Sequence, residues 1–294
     1  MAHDDAIIIG GGPAGLTAAQ YLARAGRRAL LFERIPAGGQ AGTLPKIVNY
    51  PGLASVSGYD LIETMTAQAR SFGAQIRYED VTAVDGERMT VTAGGSVYAA
   101  AVIVLAAGCK SKTLGLSGED ALAKGLGVSY CATCDGGFFR GKTVAVAGGG
   151  AKAESEAAYL KNVAAKVYLI APRPPRVEGV VPVEGRVTGL SGSPLRAVTV
   201  ENGEERRELD VDGLFIAAGL VPQTRLLARA AADEKGFILT DAWMRTSLPG
   251  IYAVGDIRQN SIRQIVTACS DGAIAAKDAL RALAQKTAAG GTSR

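Results

Sequence analysis

The chain is almost without histidine. Its 294 residues include one, His3, placed so near the N-terminus that a frayed position is expected for it. A Ser–His–Asp site, a Cys–His site or a histidine general acid would all have to rest on that residue, so these chemistries are set aside. Trp243 is the sole tryptophan, and aromatics amount to 5% of the chain. Its expected role is packing. No apolar run has the length of a membrane span. No signal-like segment precedes the first strand, because MAHDDAIIIGGG enters it at once, and a cytoplasmic location is expected. A basic cluster is missing too. Net charge is +4 with acids and bases interspersed, which argues against a nucleic-acid footprint.

Apolar residues make up 48% and charged residues 20%, the balance of a soluble globular chain long enough for two domains. Glycine is abundant, at 38 residues, which suits close backbone approach to a ligand.

One pattern occurs twice. IIIGGGPAGLTAAQYLARAGRRALLFE (Ile7 to Glu33) and VAVAGGGAKAESEAAYLKNVAAKVYLI (Val144 to Ile170) each give an apolar strand, three glycines, an amphipathic stretch and a second apolar strand. Tyr21-Leu22 matches Tyr159-Leu160, and Ala153, Ala157, Leu160 and Ala164 fall at helical spacing. A second echo follows: VIVLAAG and LFIAAG each end an apolar strand after short alternating segments that read as β-meanders. The expected fold is α/β, with two Rossmann-like dinucleotide-binding domains carrying β-meanders, the second inserted in the first. The expected boundaries are 1–111 and 246–294 for the first domain and 112–245 for the second, which is the shortened one. The tail TAAGGTSR is expected to be mobile.

Gly10, Gly12 and Gly15 form G-x-G-x-x-G between a strand and a helix. Gly10 permits the turn, Gly12 lets a pyrophosphate approach, and Gly15 lets helix and strand pack closely. Glu33 closes the second strand, where an acid binds ribose hydroxyls. FAD is favoured over NAD here, because GGQAGTLPKIVNYPG offers further polar backbone and Gly255-Asp256 could meet the flavin side.

Four cysteines are present: Cys109, Cys131, Cys134 and Cys269. SYCATCDGGFF (Ser129 to Phe139) places two of them in C-x-x-C, followed by Asp135. Zinc would need two further ligands, and Cys109 and Cys269 are isolated, so no metal site is expected. In a cytoplasmic chain a purely structural bridge is disfavoured. A working dithiol needs a close pair and a proton source, which Cys131, Cys134 and Asp135 supply. Cys109 is expected to be a small buried residue.

GGGPAG, GGQ, VNYPG, CATCD, GGGxxAxxEA, GDI and RQ occur in the order found in low-molecular-weight thioredoxin reductases, and the chain resembles that family from Ile7 to about Leu283. The resemblance implies an FAD-dependent disulfide reductase with thioredoxin as partner. Cys134 would face the flavin, Cys131 would attack the partner disulfide, and Asp135 would protonate the leaving thiolate. Gly10, Gly12, Gly15, Glu33, Gln40, Asn49, Asp256 and Gln264 would hold FAD, with Arg263 near the flavin and the redox pair. Homodimerisation and rotation of the smaller domain are also implied.

One region departs from the family. Members using NADPH continue the strand after the second glycine turn into His-Arg-Arg, a further Arg and a helix. Here KVYLI runs into APRPPRVEGVVPVEG, with Ala171 and Pro172 at the first two positions and Arg173 and Arg176 nearby. Pro172, Pro174, Pro175 and Pro182 argue against a helix, and Ala171 offers an NAD ribose no acid. The favoured expectation is therefore a donor other than NADPH, such as reduced ferredoxin. The alternatives are an NADPH enzyme with a trimmed loop served by Arg173 and Arg176, a flavin dithiol oxidase passing electrons to oxygen, and a non-catalytic flavin sensor.

Overall fold

The computed structural model describes residues 3–36, 38–259 and 262–290, with side chains described from residue 4 to residue 285. The chain forms two compact units, Met1–Lys110 with Val221–Arg294, and Ser111–Leu220.

The first unit opens with β1 (His3–Ile9), α1 (Pro13–Arg24) and β2 (Ala29–Phe32). His3 is thus strand backbone, paired with Ala99, rather than frayed. Then come α2 (Gly39–Gly42), α3 (Gly58–Ser71), β3 (Gln75–Arg77), β4 (Val81–Asp85), β5 (Thr90–Ala93) and β6 (Ser96–Leu105). The sheet order is β3-β2-β1-β6-β5-β4. β6 serves two layers. Its first half pairs antiparallel with β5 in a meander, and its second half continues the parallel sheet. β2 and the second half of β1, Ala6 to Ile9, are apolar throughout because both their faces are covered.

β7 (Cys109–Ser111) leads into the second unit. There follow α4 (Glu119–Leu122), β8 (Val128–Ser129), α5 (Ala132–Asp135), β9 (Thr143–Ala147), α6 (Ala151–Leu160), β10 (Lys166–Ala171) and β11 (Val181–Glu184). β12 (Arg186–Ser191), β13 (Ala197–Asn202) and β14 (Glu205–Asp210) form a separate meander before β15 (Gly213–Ile216) and β16 (Leu220–Pro222). The parallel sheet runs β11-β10-β9-β15-β8. The two βαβ units correspond closely. Leu22 and Leu160 are both fully buried, while Tyr21 and Tyr159 both stay exposed. α6 ends at Leu160, so Ala164 packs from beyond the helix. Residues 172–180 form no helix, and Pro182 sits in β11, an edge strand where its missing N–H costs no ladder bond.

The sequence reading placed the return to the first unit at residue 245, but the second unit closes at Leu220. The intervening segment belongs to the first unit because Leu227, Ala230 and Ile238 bury in its core with Ile7, Phe32 and Ile103. β17 (Ile251–Ala253) then joins β6. α7 (Ile265–Gly290) carries the chain well into the segment expected as a tail, while 291–294 lie outside the described residues. α7 packs on α1 along small residues: a Cβ at Gly272 would lie 2.2 Å from the Ala14 carbonyl oxygen. Trp243 is 41% exposed and takes no place in the core; the Arg281 guanidinium lies 4.6 Å from its ring centre.

Candidate functional site

The glycine turn of the first unit is held by contacts that leave no room for side chains. Gly10 has φ 108°, and a Cβ there would lie 2.4 Å from the Ala106 carbonyl oxygen. A Cβ on Gly15 would lie 1.9 Å from the Gly10 carbonyl oxygen. Gly12 differs: a Cβ there would meet only the Gly38 carbonyl oxygen, at 3.9 Å. Gly12 is the N-cap of α1, with Pro13 behind it and no side chain capping the first turn. The amides of that turn are therefore available to an anion. Glu33 Oε2 accepts the Gly11 N–H at 2.6 Å, and Oε1 accepts that of Ile35 at 3.0 Å. The acid at the strand end is fixed beside the turn.

The other residues expected to hold a flavin gather in the same unit. Gln40 Nε2 donates to the Cys109 carbonyl, and the Cys109 sulfur lies 4.0 Å from Asp256 Oδ2. Asn49 Nδ2 donates to Gln264 Oε1 at 3.1 Å across 215 positions of sequence. Gly255 sits against Ala14 at the start of α1, which brings Asp256 to the glycine turn. Burial pushes the Asp256 carboxyl up to about 6, although the Arg263 guanidinium opposes this. Arg263 lies 4.3 Å over the Phe237 ring, and its Nε is buried with no hydrogen-bond partner among the described residues.

These features fit FAD. Gly12 leaves a free approach for a pyrophosphate. Glu33 can accept ribose hydroxyls, and Asp256, with the Cys109 thiol beside it, can accept a hydroxyl of the flavin side. Cys109 is buried, as expected of a small residue.

Sequence reading missed two ion pairs made by acids buried on α7. Asp271 on α7 accepts from Arg258 Nε at 2.7 Å and Nη2 at 2.9 Å, and from the Gly255 N–H at 3.1 Å. Asp278 accepts two Arg245 bonds at 2.6 Å and the Tyr252 hydroxyl at 2.8 Å. The signal was two acids on the apolar side of a long amphipathic helix, where a charge needs a partner.

In the second unit Cys131 and Cys134 form a disulfide, with Cα atoms 5.3 Å apart. Cys131 is the N-cap of α5, and Cys134 lies within that helix. Ser129, itself buried, donates to Asp135 Oδ2 at 2.7 Å and accepts the Cys131 N–H at 3.1 Å. One hydroxyl thereby links the acid to the disulfide. Burial pushes the Asp135 carboxyl above the ordinary carboxylate range, and the Ser129 hydroxyl partly opposes this. Gly136 and Phe139, which follow, anchor the loop. A Cβ on Gly136 would lie 2.9 Å from the Tyr159 ring of α6, and Phe139 packs edge-on to Phe215, with ring centres 5.3 Å apart.

The second glycine turn repeats the first. A Cβ on Gly148 would lie 2.8 Å from the Ala217 carbonyl oxygen, as Gly10 meets Ala106. Gly150 caps α6 with open space beside it, and Ala153 takes the place of Gly15. Where Gly11 meets Glu33, Gly149 meets the Ala171 methyl at 3.3 Å. Arg173 and Arg176 are exposed and form no ion pair among the described residues.

The profile of the family described as "Pyridine nucleotide-disulphide oxidoreductase" matches residues 4–184 and 177–272. The thioredoxin reductase of Listeria monocytogenes is 42% identical over 301 residues, covering 94% of this chain and 92% of that protein. The crystal structure of thioredoxin reductase from Streptococcus pyogenes superposes with a TM-score of 0.91 at 35% identity, covering 97% of this chain and 99% of that one. A ferredoxin-flavin thioredoxin reductase from Clostridium acetobutylicum matches at 30% identity with a TM-score of 0.56, over 98% of this chain and 99% of its own. Among the described residues no helix is long and apolar enough to cross a membrane. Two glycine turns of one design, a disulfide and this span of similarity have one explanation: the chain belongs to the pyridine nucleotide-disulphide oxidoreductase family, as a flavoprotein oxidoreductase of the thioredoxin reductase kind.

Proposed function

We propose that the protein reduces thioredoxin with electrons from NADPH, through FAD held in the first unit and the Cys131–Cys134 disulfide of the second. The observation that carries the donor is the second glycine turn, which retains the open Gly150 cap of a phosphate-binding helix. Arg173 and Arg176, exposed and without ion pairs among the described residues, supply cations for a 2′-phosphate. The sequence reading preferred a donor other than NADPH; the duplicated turn now favours the nucleotide. Ferredoxin stays as a second reading because Ala171 stands in the place of Glu33 and no helix follows it. Homodimerisation belongs to the same proposal, on family resemblance.

Bound FAD supplies two-electron chemistry between the donor and a disulfide. The chain's own residues act in the second half. The Cys131 thiolate attacks the thioredoxin disulfide and forms a mixed disulfide; Cys134 then displaces the thioredoxin thiolate and restores the Cys131–Cys134 bond. Asp135 holds the proton that the departing thiolate takes. Two electrons and two protons leave the enzyme dithiol and appear as the thioredoxin dithiol.

The donor is tested anaerobically. NADPH bleaches the flavin of the oxidised protein rapidly, and Arg173→Ala with Arg176→Ala raises the NADPH concentration required by about tenfold or more without affecting NADH. Bleaching by reduced ferredoxin and by neither nucleotide would replace this donor with the second reading.

A pH profile tests Asp135. A carboxyl whose pKa is raised keeps its proton to higher pH than a free aspartate, so reoxidation of the reduced enzyme by thioredoxin slows as pH rises through that value. Asp135→Asn removes this dependence and slows the step about 100-fold. A single-turnover profile unchanged by the substitution excludes the role.

A further inference from the structure

The backbone around Cys131 is gripped from α6. Lys152 Nζ donates to the carbonyl of Tyr130, the residue before Cys131, at 3.2 Å. Glu156, one turn along, has Oε1 3.6 Å from the same ammonium. Burial pushes the Glu156 carboxyl up, and the Lys152 ammonium and, least, the backbone N–H of Ala132 oppose this. The pair therefore grips the peptide group that precedes Cys131. Tyr130 is held from its other end as well: its hydroxyl donates at 2.8 Å to Glu119, a buried acid that also accepts the N–H groups of Leu114 and Leu116.

Helix packing does not account for Glu156. α6 buries Ala153, Ala157 and Leu160 against the sheet. The Glu156 side chain is 11% exposed, and its Oε2 is buried with no hydrogen-bond partner among the described residues. A half-satisfied buried carboxylate costs stability, and a glutamine or an apolar residue would cost less. The acid is held at that cost beside the redox loop.

We propose that Lys152 and Glu156 are positioning residues that fix the peptide group before Cys131, so that its sulfur and not that of Cys134 meets the incoming disulfide. This rests on the reading of the disulfide as the electron carrier. The test uses the full FAD-loaded chain. The wild type, Lys152→Met and Glu156→Ala are reduced with dithiothreitol, desalted and pulsed with iodoacetamide, and label on Cys131 and Cys134 is quantified by mass. The ratio of Cys131 to Cys134 labelling falls about fivefold in both variants. Lys152→Arg and Glu156→Gln, which keep a donor and an acceptor, restore it. A purely electrostatic role would move the two variants in opposite directions, since charges of opposite sign are removed. An unchanged ratio in either variant, or shifts of opposite sign, overturns the proposal. Glu156→Met, which fills the same space, replaces the alanine form if that does not fold. Labelling needs neither donor nor thioredoxin. Cys131→Ser retaining thioredoxin reduction would overturn the proposed function, while the labelling ratio alone decides the positioning.

Discussion

Gly15→Ala yields a protein that purifies without flavin and melts well below the wild type. The added methyl would lie 1.9 Å from the Gly10 carbonyl oxygen, 3.1 Å from its carbon and 3.2 Å from the Ala106 Cβ. None of these is the far end of a flexible side chain. Gly10 cannot retreat, because its φ of 108° sets the turn and its N–H is bonded to the Phe32 carbonyl at 2.8 Å. Overpacking of ordinary side chains costs about 1–3 kcal/mol, and a clash with backbone exceeds that. A fall in melting temperature of roughly 10 °C follows. Gly12→Ala is the contrast. Its methyl meets only the Gly38 oxygen at 3.9 Å, so the apoprotein melts normally, yet the methyl occupies the approach to the α1 amides and flavin affinity drops. Flavin absorbance per protein and calorimetry of the apo forms separate the two effects. Equal melting temperatures for the two variants would mean the glycine contacts do not hold the turn.

Cys134→Ser abolishes steady-state reduction of thioredoxin and leaves a trapped enzyme–thioredoxin adduct. The remaining Cys131 thiolate can attack, but nothing within the enzyme displaces the product, so the mixed disulfide persists. Cys131→Ser also stops turnover, on the order of 10³-fold or more, and traps nothing. Both variants still accept electrons at the flavin. A non-reducing gel and an anaerobic titration distinguish the cases. An adduct with Cys131→Ser and none with Cys134→Ser would exchange the two roles. Turnover surviving in both would remove the disulfide from the electron path.

Much of this was legible in the sequence because it is written locally. A G-x-G-x-x-G between strand and helix fixes a turn within a few residues, and a repeated pattern fixes two units. C-x-x-C followed by an acid gave the disulfide and Asp135, and four prolines ruled out the helix after β10. The unread features depend on which distant residues meet. Arg258 and Asp271 look like ordinary surface charges until the turn at Gly255 folds against α7. Nothing local marks Lys152 and Glu156 as facing the redox loop, and only the fold shows it. The boundary at Leu220 was missed for the same reason: nothing local marks Leu227, Ala230 and Ile238 as core of the first unit.

The small-residue seam between α1 and α7 has a consequence for how the protein is made. Ala14 and Gly272 must touch for the first unit to close, and they lie near opposite ends of the chain. The inserted unit, Ser111–Leu220, is continuous in sequence. On the ribosome its residues all emerge while α7 is still unsynthesised, and domains fold as units during synthesis. The disulfide-bearing half is thus complete first. The half that must take up the flavin waits, with the α1 surface around Ala14 uncovered, until the last helix is released.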